Sequence, residues 1–461
     1  MGTDVNATLS PTVLTGWGAN FRATCELTEP ETPADVARQL DRRGVCPRGL
    51  GRSYGDPAVN SGGRVVGMTR LDRYLGFDES TGTLICESGV SLEQIIRDFV
   101  PRGFFPMITP GTKYVTVGGC IANDVHGKAH HVQGSFASCV ESMRVLLASG
   151  EVVQCSRTER DDLFWASFGG MGLLGVILDA TIKLRKVETT YFRKEAVKVG
   201  NLTEMLQALA SYDQEFLYSL GNVNAIGAGE SLGRGVVTAA NHATAAELPV
   251  DFAIRPLHVS APAKIIVPIE LPDITFNPLT IRMVHTLIEW KLLSGGRYDH
   301  YEGVFYPLDM MLHWNRGYGR RGFTQYQFLV PLEDGERNMR AILGAIMESD
   351  ALLSLNVLKR FGPESGGILS FPREGFTFAI DFPIRRNTVE LTRKLDQMVL
   401  AAGGRVYLGK DSFTLASTFR AMYPRLDEWL AIKEKYDPDC VFVSDLGRRV
   451  GLVPSRGSAA R

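Results

Sequence analysis

Along Gly175–Val187, GVILDATIKLRKV, apolar and polar residues alternate, and the alternation predicts a half-buried strand. Shorter strands are predicted for Arg64–Thr69, RVVGMT, and for Thr83–Glu87, TLICE, the second after the turn-rich run Asp78–Gly82. Between Ser91 and Pro101 the period changes. Leu92, Ile95, Ile96 and Phe99 share one face of a helix, opened by Ser91 and Gln94 as a capping box and closed by Pro101. Ser142–Ser156, SMRVLLASGEVVQCS, reads as a hairpin turning at Ser149-Gly150, and Asp161–Gly170, DDLFWASFGG, reads as a helix. Beyond about residue 188 the predicted strands lengthen, as in Gly322–Leu332 and Gly375–Ile384. Two stretches, about 258–281 and 310–322, have weak periodicity and read as lids over a site. An amphipathic helix follows Tyr423 and stops at Asp437-Pro438, and the small polar tail, VPSRGSAAR, is expected to fray.

Length and composition narrow the class. The 461 residues suffice for two or three domains, and 50 Lys+Arg face 51 Asp+Glu. That balance argues against nucleic acid as a partner, yet leaves room for a local basic pocket. Seven cysteines lack CxxC spacing and lie mostly in apolar runs, so they read as buried reduced thiols of a cytoplasmic protein. The N-terminal MGTDVNATLSPTVLTGWG shows no leader pattern, and no run approaches the roughly 20 apolar residues of a membrane span.

Three glycine clusters carry the candidate chemistry. In Cys46–Pro57, CPRGLGRSYGDP, Gly49, Gly51 and Gly55 bare the backbone beside Arg48, Arg52, Ser53 and Tyr54, as in a phosphate-holding loop. The loop misses the G-x-G-x-x-G fingerprint because Tyr54 stands where the third glycine belongs. Gly170–Gly175, GMGLLG, fits by letter, but a helix precedes it and a strand follows, the reverse of the Rossmann order. A nicotinamide cofactor is therefore rejected. The third cluster, Pro110–Gly127, offers bare amides near hydroxyls, suited to a pyrophosphate held without a formal cation. Each cluster alone reads as a tight turn; three within 180 residues, interleaved with short strands, read as one cradle. His126 and His130 are four residues apart, but Gly127 and Lys128 stand where a zinc helix carries its glutamate, so no metal is expected. Lys359, Tyr407 and Lys410 sit beside apolar strands. The residues alone leave open whether they are ordinary surface and core positions or face a redox cofactor and an anionic ligand.

Together RGLGRSYGD (48–56), PGTKYVTVGGCIANDVHGKAHH (110–131), LFWASFGGMGLLGVI (163–177) and KYDPDCVF (435–442) resemble the vanillyl-alcohol oxidase/p-cresol methylhydroxylase (PCMH) superfamily of FAD enzymes. Within it, QYQF (325–328), LNVLKRFGP (355–363) and KDSFT (410–414) are similar, in order, to the oxidases of polyprenylphosphoryl-β-D-ribose. The resemblance implies an α+β fold. A two-lobed PCMH-type FAD-binding domain is expected over 1–189, and a substrate-binding domain with an antiparallel sheet and helices over 190–403. Residues 404–461 are expected to return to the FAD domain.

The same resemblance implies that Arg48, Gly49, Gly51, Arg52, Ser53, Tyr54, Gly55 and Asn60 line the FAD. Pro110, Gly111, Thr112, Thr116, Gly118, Gly119, Ala122 and Asn123 complete that cradle, with Gly172 also binding the cofactor and Ile177 toward the adenine. His126, Gly127 and Tyr407 fall near the isoalloxazine, and Lys128, Gln327, Lys359 and Ala379 near the sugar. Many members attach FAD through a histidine in the first loop; Arg52 occupies that region here, which implies non-covalent FAD. Ala379 stands where some members carry a cysteine, and Phe305 where the family pattern has a tyrosine, with Tyr306 next.

The reaction implied is oxidation of the 2′-hydroxyl of a polyprenylphosphoryl-β-D-ribose to the 2′-keto sugar. The alternative is an FAD oxidase of another sugar, an alditol or an aldonolactone. Lys410 is expected to steady charge on the reduced cofactor, and Lys410, His126 and Tyr306 are the undecided candidates for the base. The implied partners are a lipid-linked sugar, a separate NAD(P)H-dependent keto-sugar reductase, a quinone acceptor and the inner face of a membrane, touched peripherally.

Overall fold

The computed structural model describes residues 11–40, 44–224, 229–259, 265–272, 275–349 and 351–455. The stretches read for a leader and for a fraying tail fall largely outside these residues.

Two sheets build the N-terminal part. Pro11–Leu14, Ala23–Thr28, Arg64–Gly67 and Val45–Arg48 form the first, in that spatial order, antiparallel at the first pair and parallel at the other two. The second is antiparallel and organised about Val176–Lys186, flanked by Thr83–Glu87 and Val140–Leu146. The half-buried pattern expected of that strand holds only from Thr181 onward. Val176–Ala180 are all buried, because a central strand has both faces covered. Ile177, Ala180 and Ile182 join the main core, while Val176 and Leu178 pack with Val45, Val66 and Phe442.

Local signals act as expected. Ser91 Oγ accepts from Gln94 N at 3.1 Å, Gln94 Oε1 accepts from Ser91 N at 2.8 Å, and helix Leu92–Phe99 buries its four predicted residues. A cap of this kind contributes about 1 kcal/mol. The hairpin closes with Leu146 opposite Val152, and helix Asp161–Ser167 precedes strand Val176–Lys186, which keeps the Rossmann reading excluded.

The third sheet has eight antiparallel strands, beginning with Tyr191–Val199 and including Arg405–Val406 at one edge. Helices Leu202–Glu215, Gly335–Met347 and Thr388–Ala401 pack against it through Leu206, Ile342 and Leu395. Helices and antiparallel sheets in separate layers make the fold α+β.

The chain end returns to the first lobe. In helix Leu426–Tyr436, Trp429 Nε1 donates to Ala166 O at 2.9 Å. The helix predicted as amphipathic also hides Lys433, whose ammonium donates to Leu173 O (2.6 Å) and Phe442 O (2.8 Å) and pairs with Asp437. Val45 and Val441–Val443 then bond backbone to backbone. All seven cysteines are free thiols, six of them buried. Among the described residues, no helix is long and apolar enough to cross a membrane.

Candidate active site

A cavity of about 940 Å³ lies between the N-terminal sheets and the third sheet, within the size range of ligand and cofactor sites. Strand Val45–Arg48 ends at its wall, and the following loop lines it through Gly49, Gly51, Arg52, Ser53 and Tyr54. Across from it, Pro110, Gly111 and Thr112 lead to Thr116, which caps helix Val117–Ala122 by accepting from Gly119 N at 3.2 Å. Gly118, Gly119, Ala122 and Asn123 continue this wall, and Gly172 and Ile177 also line the cavity. Tyr407 Oη donates to Asn123 O at 3.0 Å and so fastens the third sheet to the cradle.

The fit to FAD can be tested on this wall. Arg52 Nε and Ser88 Oγ are buried with no partner among the described residues, and both side chains line the cavity. Gly111 has no atom within 4 Å of the place a Cβ would take. A guanidinium, a hydroxyl and an open strip of glycine backbone suit a pyrophosphate, so the residues present fit the cofactor. The Arg52 guanidinium also lies 4.0 Å above the Trp17 ring, a contact that fixes its plane.

Three expected site residues, Gly55, Asn60 and Tyr306, lie off the cavity lining, and a fourth lines it with its charge already engaged. Arg48 lines the cavity, but its guanidinium donates to Thr15 O (2.9 Å) and Ala58 O (3.0 Å), so it braces the loop and is not a spare cation. Gly55 backs onto the C-terminal segment, where a Cβ would fall 1.9 Å from Asp411 O. Asn60 is fully buried; its amide donates to Gly44 O at 3.0 Å and its oxygen accepts from Arg448 at 2.8 Å. Tyr306 lies behind the wall, its hydroxyl bonded to Thr109 Oγ1, and burial pushes it well above the usual phenol range. Phe305 and Pro307 line the cavity on either side of it, so Tyr306 is withdrawn as a catalytic residue.

At the other end, strand register collects the remaining side chains. Gln327 faces Ala379 across one pair, Val357 faces Ala379 across the next, and Gln325 faces Asp381. Side chains two apart share a face, which brings Lys359 beside Val357 and Gln327 beside Gln325. Gln327 Nε2 donates to His126 Nε2 at 2.9 Å and to Thr377 Oγ1 at 3.2 Å. Burial, then the charge of Lys359, holds the His126 imidazole well below its ordinary range. His126 is therefore neutral, with its accepting nitrogen already engaged.

Lys410 has a different setting. Its ammonium lies 4.0 Å over the Tyr54 ring, and burial lowers its pKa to about 8 against the opposing pull of Asp381. Asp381 is fully buried, accepts from Gln325 Nε2 (2.6 Å) and Tyr318 Oη (2.9 Å), and is raised by burial to about 6. Lys128 donates to Val304 O at 2.5 Å, and burial brings it to about 8. Lys359 is brought to about 7 by burial and by the like charges of Lys128 and Lys410. Lys128, Lys359 and Lys410 all line the cavity, so the reading of Lys359 and Lys410 as solvent-facing lysines does not apply.

The two weakly periodic stretches meet over the opening. Ile265–Ile266 pairs in parallel with Met311–Leu312, Leu271 N donates to Arg316 O, and Arg316 donates to Val267 O and Pro268 O. Asp309 anchors this cover to the cradle by accepting from Thr112 Oγ1 (2.8 Å) and Lys113 N (2.9 Å). Helix Pro278–Ser294 is apolar on both sides. Ile281, Ile288 and Leu292 line the cavity, while Leu279, Met283, Leu287 and Trp290 face outward, Trp290 at 68% exposure.

Trp17, Asp309, Tyr318 and Asp381 were not among the residues singled out in the sequence. Asp381 left a trace there as a carboxylate inside the apolar run FAIDFP two residues from Ala379, and Tyr318 fell within the weakly periodic stretch 310–322.

Two family models match the chain: an FAD binding domain over residues 23–156 and D-arabinono-1,4-lactone oxidase over residues 321–450. Decaprenylphosphoryl-beta-D-ribose oxidase of Mycolicibacterium smegmatis is 40% identical over 452 residues, covering 95% of this chain and 97% of the relative. L-gulono-1,4-lactone dehydrogenase of Mycobacterium tuberculosis is 25% identical over 437 residues, covering 90% and 93%. Cytokinin dehydrogenase 2 of Arabidopsis thaliana is 28% identical over 195 residues, covering 39% and 38%.

Proposed function

The chain belongs to the decaprenylphosphoryl-β-D-ribose oxidase family of FAD-dependent oxidoreductases, and from that premise we propose that it oxidises the 2′-hydroxyl of a polyprenylphosphoryl-β-D-ribose to the ketone. The keto sugar then passes to a separate NAD(P)H-dependent reductase, which completes epimerisation to an arabinose donor for cell-wall arabinan. A quinone takes the electrons. The single observation that carries the reading is one continuous cavity joining the glycine cradle, the lysine cluster and an apolar opening. Such a space suits a cofactor, a charged sugar and a hydrocarbon tail in sequence.

Bound FAD supplies the acceptor for the hydride removed from C2′. Arg52, Ser53 and the strip around Gly111 and Gly118 would hold its pyrophosphate, and Ile177 would lie on its adenine side, with Gly172 lining the same space. With no histidine in the Arg48–Asp56 loop, we read the cofactor as dissociable. The hydroxyl proton needs a base, and two of three candidates are unsuited. Tyr306 lies off the cavity, and the accepting nitrogen of His126 is engaged by Gln327. Lys410 serves as that base: its neutral form is accessible near pH 8, and Asp381 balances the ammonium that proton uptake creates. His126 and Gln327, rigid and uncharged, position the sugar.

The test is anaerobic titration of the holoenzyme. Farnesyl- or decaprenylphosphoryl ribose is expected to bleach the flavin absorbance, and xylitol and aldonolactones to leave it unchanged. Bleaching by lactones alone supports the second reading, an aldonolactone oxidase. That reading is favoured by the lactone oxidase match, which spans Gln327, Lys359 and Lys410.

We read the outer face of helix Pro278–Ser294 as a docking surface for an anionic bilayer at the cytoplasmic side. Its exposed Leu287 and Trp290 lie beside exposed Arg282, and its inner face, which carries Lys291, continues into the cavity. Apolar residues on both sides of one helix ask for an apolar partner on both. Each large side chain withdrawn from water contributes about 1.5–3 kcal/mol. The wild type should float with vesicles containing phosphatidylglycerol, and the Leu287→Asp/Trp290→Asp variant should stay behind. A wild type that does not float removes this surface from the reading.

A further inference from the structure

Five lysines line the cavity; Lys194 pairs with Asp299 at 2.9 Å and Lys291 is exposed, and of the other three two have their charge answered. Lys128 donates to Val304 O and has Asp299 as the opposing charge, and Lys410 has Asp381. Lys359 has neither. Among the described residues no carboxylate or carbonyl accepts from its ammonium, and the charges acting on it are those of Lys128 and Lys410. Its one favourable contact is the Phe361 ring, 5.6 Å away, worth about 1 kcal/mol or less at that range. An ammonium removed from water without a partner costs several kcal/mol. Its neighbours add no anion, since His126 and His130 pack on the same Phe361 ring at 4.8 and 4.3 Å and are both held neutral.

The position of Lys359 tells what completes it. It stands on strand Asn356–Phe361 of the third sheet, next to Val357 and facing the space that Ala379 and Gln327 also border. The pyrophosphate cradle has its own guanidinium and its own amides in the other lobe. The apolar opening is reached along the same strand region through Leu355 and the lid helix residue Ile281. An anion at Lys359 therefore sits between the reacting sugar and the hydrocarbon tail. We propose that Lys359 is a phosphate subsite that takes the phosphodiester oxygens joining sugar to lipid, with Lys128 as its second cation. The assignment rests on the oxidase reading above for its substrate and on the unanswered ammonium for its place.

The subsite makes the ligand, not the protein, complete the charge balance. It also places the specificity for a phosphorylated over a neutral glycoside in one side chain. A hydrogen bond to a charged group is worth about 1.5–3 kcal/mol, or roughly 10- to 100-fold in affinity.

Farnesyl phosphate is the probe, titrated into the FAD-loaded enzyme with the flavin spectrum as one readout and thermal unfolding as the other. Lys359→Met is expected to weaken farnesyl phosphate by about 10- to 100-fold and to leave farnesol binding unchanged. The ligand-free variant should melt no lower than the wild type, because an ammonium crowded by the like charges of Lys128 and Lys410 has been removed. Lys359→Arg should recover most of the farnesyl phosphate affinity. Unchanged farnesyl phosphate affinity in Lys359→Met overturns the subsite, and a ligand-free variant that melts lower shows the ammonium to be structurally paired and overturns it too. Inorganic phosphate that binds the wild type as tightly as farnesyl phosphate overturns the lipid-linked source. If prenylphosphoryl ribose fails to bleach the wild-type flavin while farnesyl phosphate still discriminates at Lys359, the oxidase reading falls and the subsite stands.

Discussion

Lys410→Met should lower the rate of anaerobic flavin bleaching by about 10²- to 10⁴-fold, the range general bases contribute, while the purified protein stays yellow. Lys410→Arg separates two roles for the residue. Arginine keeps a cation in the cavity but does not release its proton near neutrality, so a charge role survives the exchange and a base role does not. Loss in both variants is the expected result; near-normal bleaching in Lys410→Arg would overturn the base assignment. The pH dependence supplies a second readout. Burial holds the Lys410 pKa near 8, and only the neutral amine accepts the hydroxyl proton, so kcat/KM should rise with pH and level off above about 8. Asp381 is the charge that opposes this depression, and Asp381→Asn removes it. The Lys410 pKa then falls further, and the acid limb of the profile moves to lower pH.

The other large effect concerns the cradle, where two glycines are expected to fail in different ways. A side chain at Gly55 meets the Asp411 carbonyl at 1.9 Å, and that carbonyl has little room to move. Asp411 is held by Phe413 N, Thr414 N and Arg449, and Arg449 also grips Asp56, the next residue along the loop. Gly55→Val therefore forces apart the Arg52–Tyr54 wall and the Lys410 segment. It is expected to cost about 1–3 kcal/mol or more from overpacking and to yield colourless protein with a lowered melting temperature. A Cβ at Gly111 meets no protein atom within 4 Å, so in Gly111→Ala the melting temperature of the FAD-free protein should be unchanged, and in Gly111→Val FAD retention should be lost. Yellow protein from Gly111→Val, with flavin at full stoichiometry, would show that the Pro110–Thr112 loop does not face the cofactor.

The glycine loops were legible because a cradle is written locally: bare backbone, a hydroxyl cap and an arginine fall within a few residues of one another. The capping box at Ser91 and the order helix Asp161–Ser167, then strand Val176–Lys186, were legible for the same reason. What depends on register was not. Asp381 acts on Lys410 because strand Gly375–Pro383 lies against Phe323–Val330 with Gln325 opposite Asp381, a pairing that no local pattern encodes. Tyr306 and Phe305 are adjacent in sequence, yet one bonds Thr109 behind the wall and the other borders the cavity, so a one-residue phase decides the role. Asn60 and Gly55 look like loop residues of the site and instead tie the loop to Arg448 and Asp411, more than 350 residues away in sequence.

The cover over the cavity has a fixed side and a loose side. Asp309 bonds the cradle loop through two hydrogen bonds at a buried carboxylate, and parting them leaves that anion with no hydrogen-bond donor of the loop. The strand pairing between Ile265–Ile266 and Met311–Leu312 is two residues long, extended by the Arg316 and Leu271 contacts, and both isoleucines face solvent, at 64% and 58% exposure. A lipid tail entering from that side would part this pairing and leave the Asp309 contacts closed. On that path substrate exchange would leave the loop at the nucleotide in place, and the expected result is flavin loss that does not rise with the number of turnovers, read by flavin stoichiometry after extended catalysis.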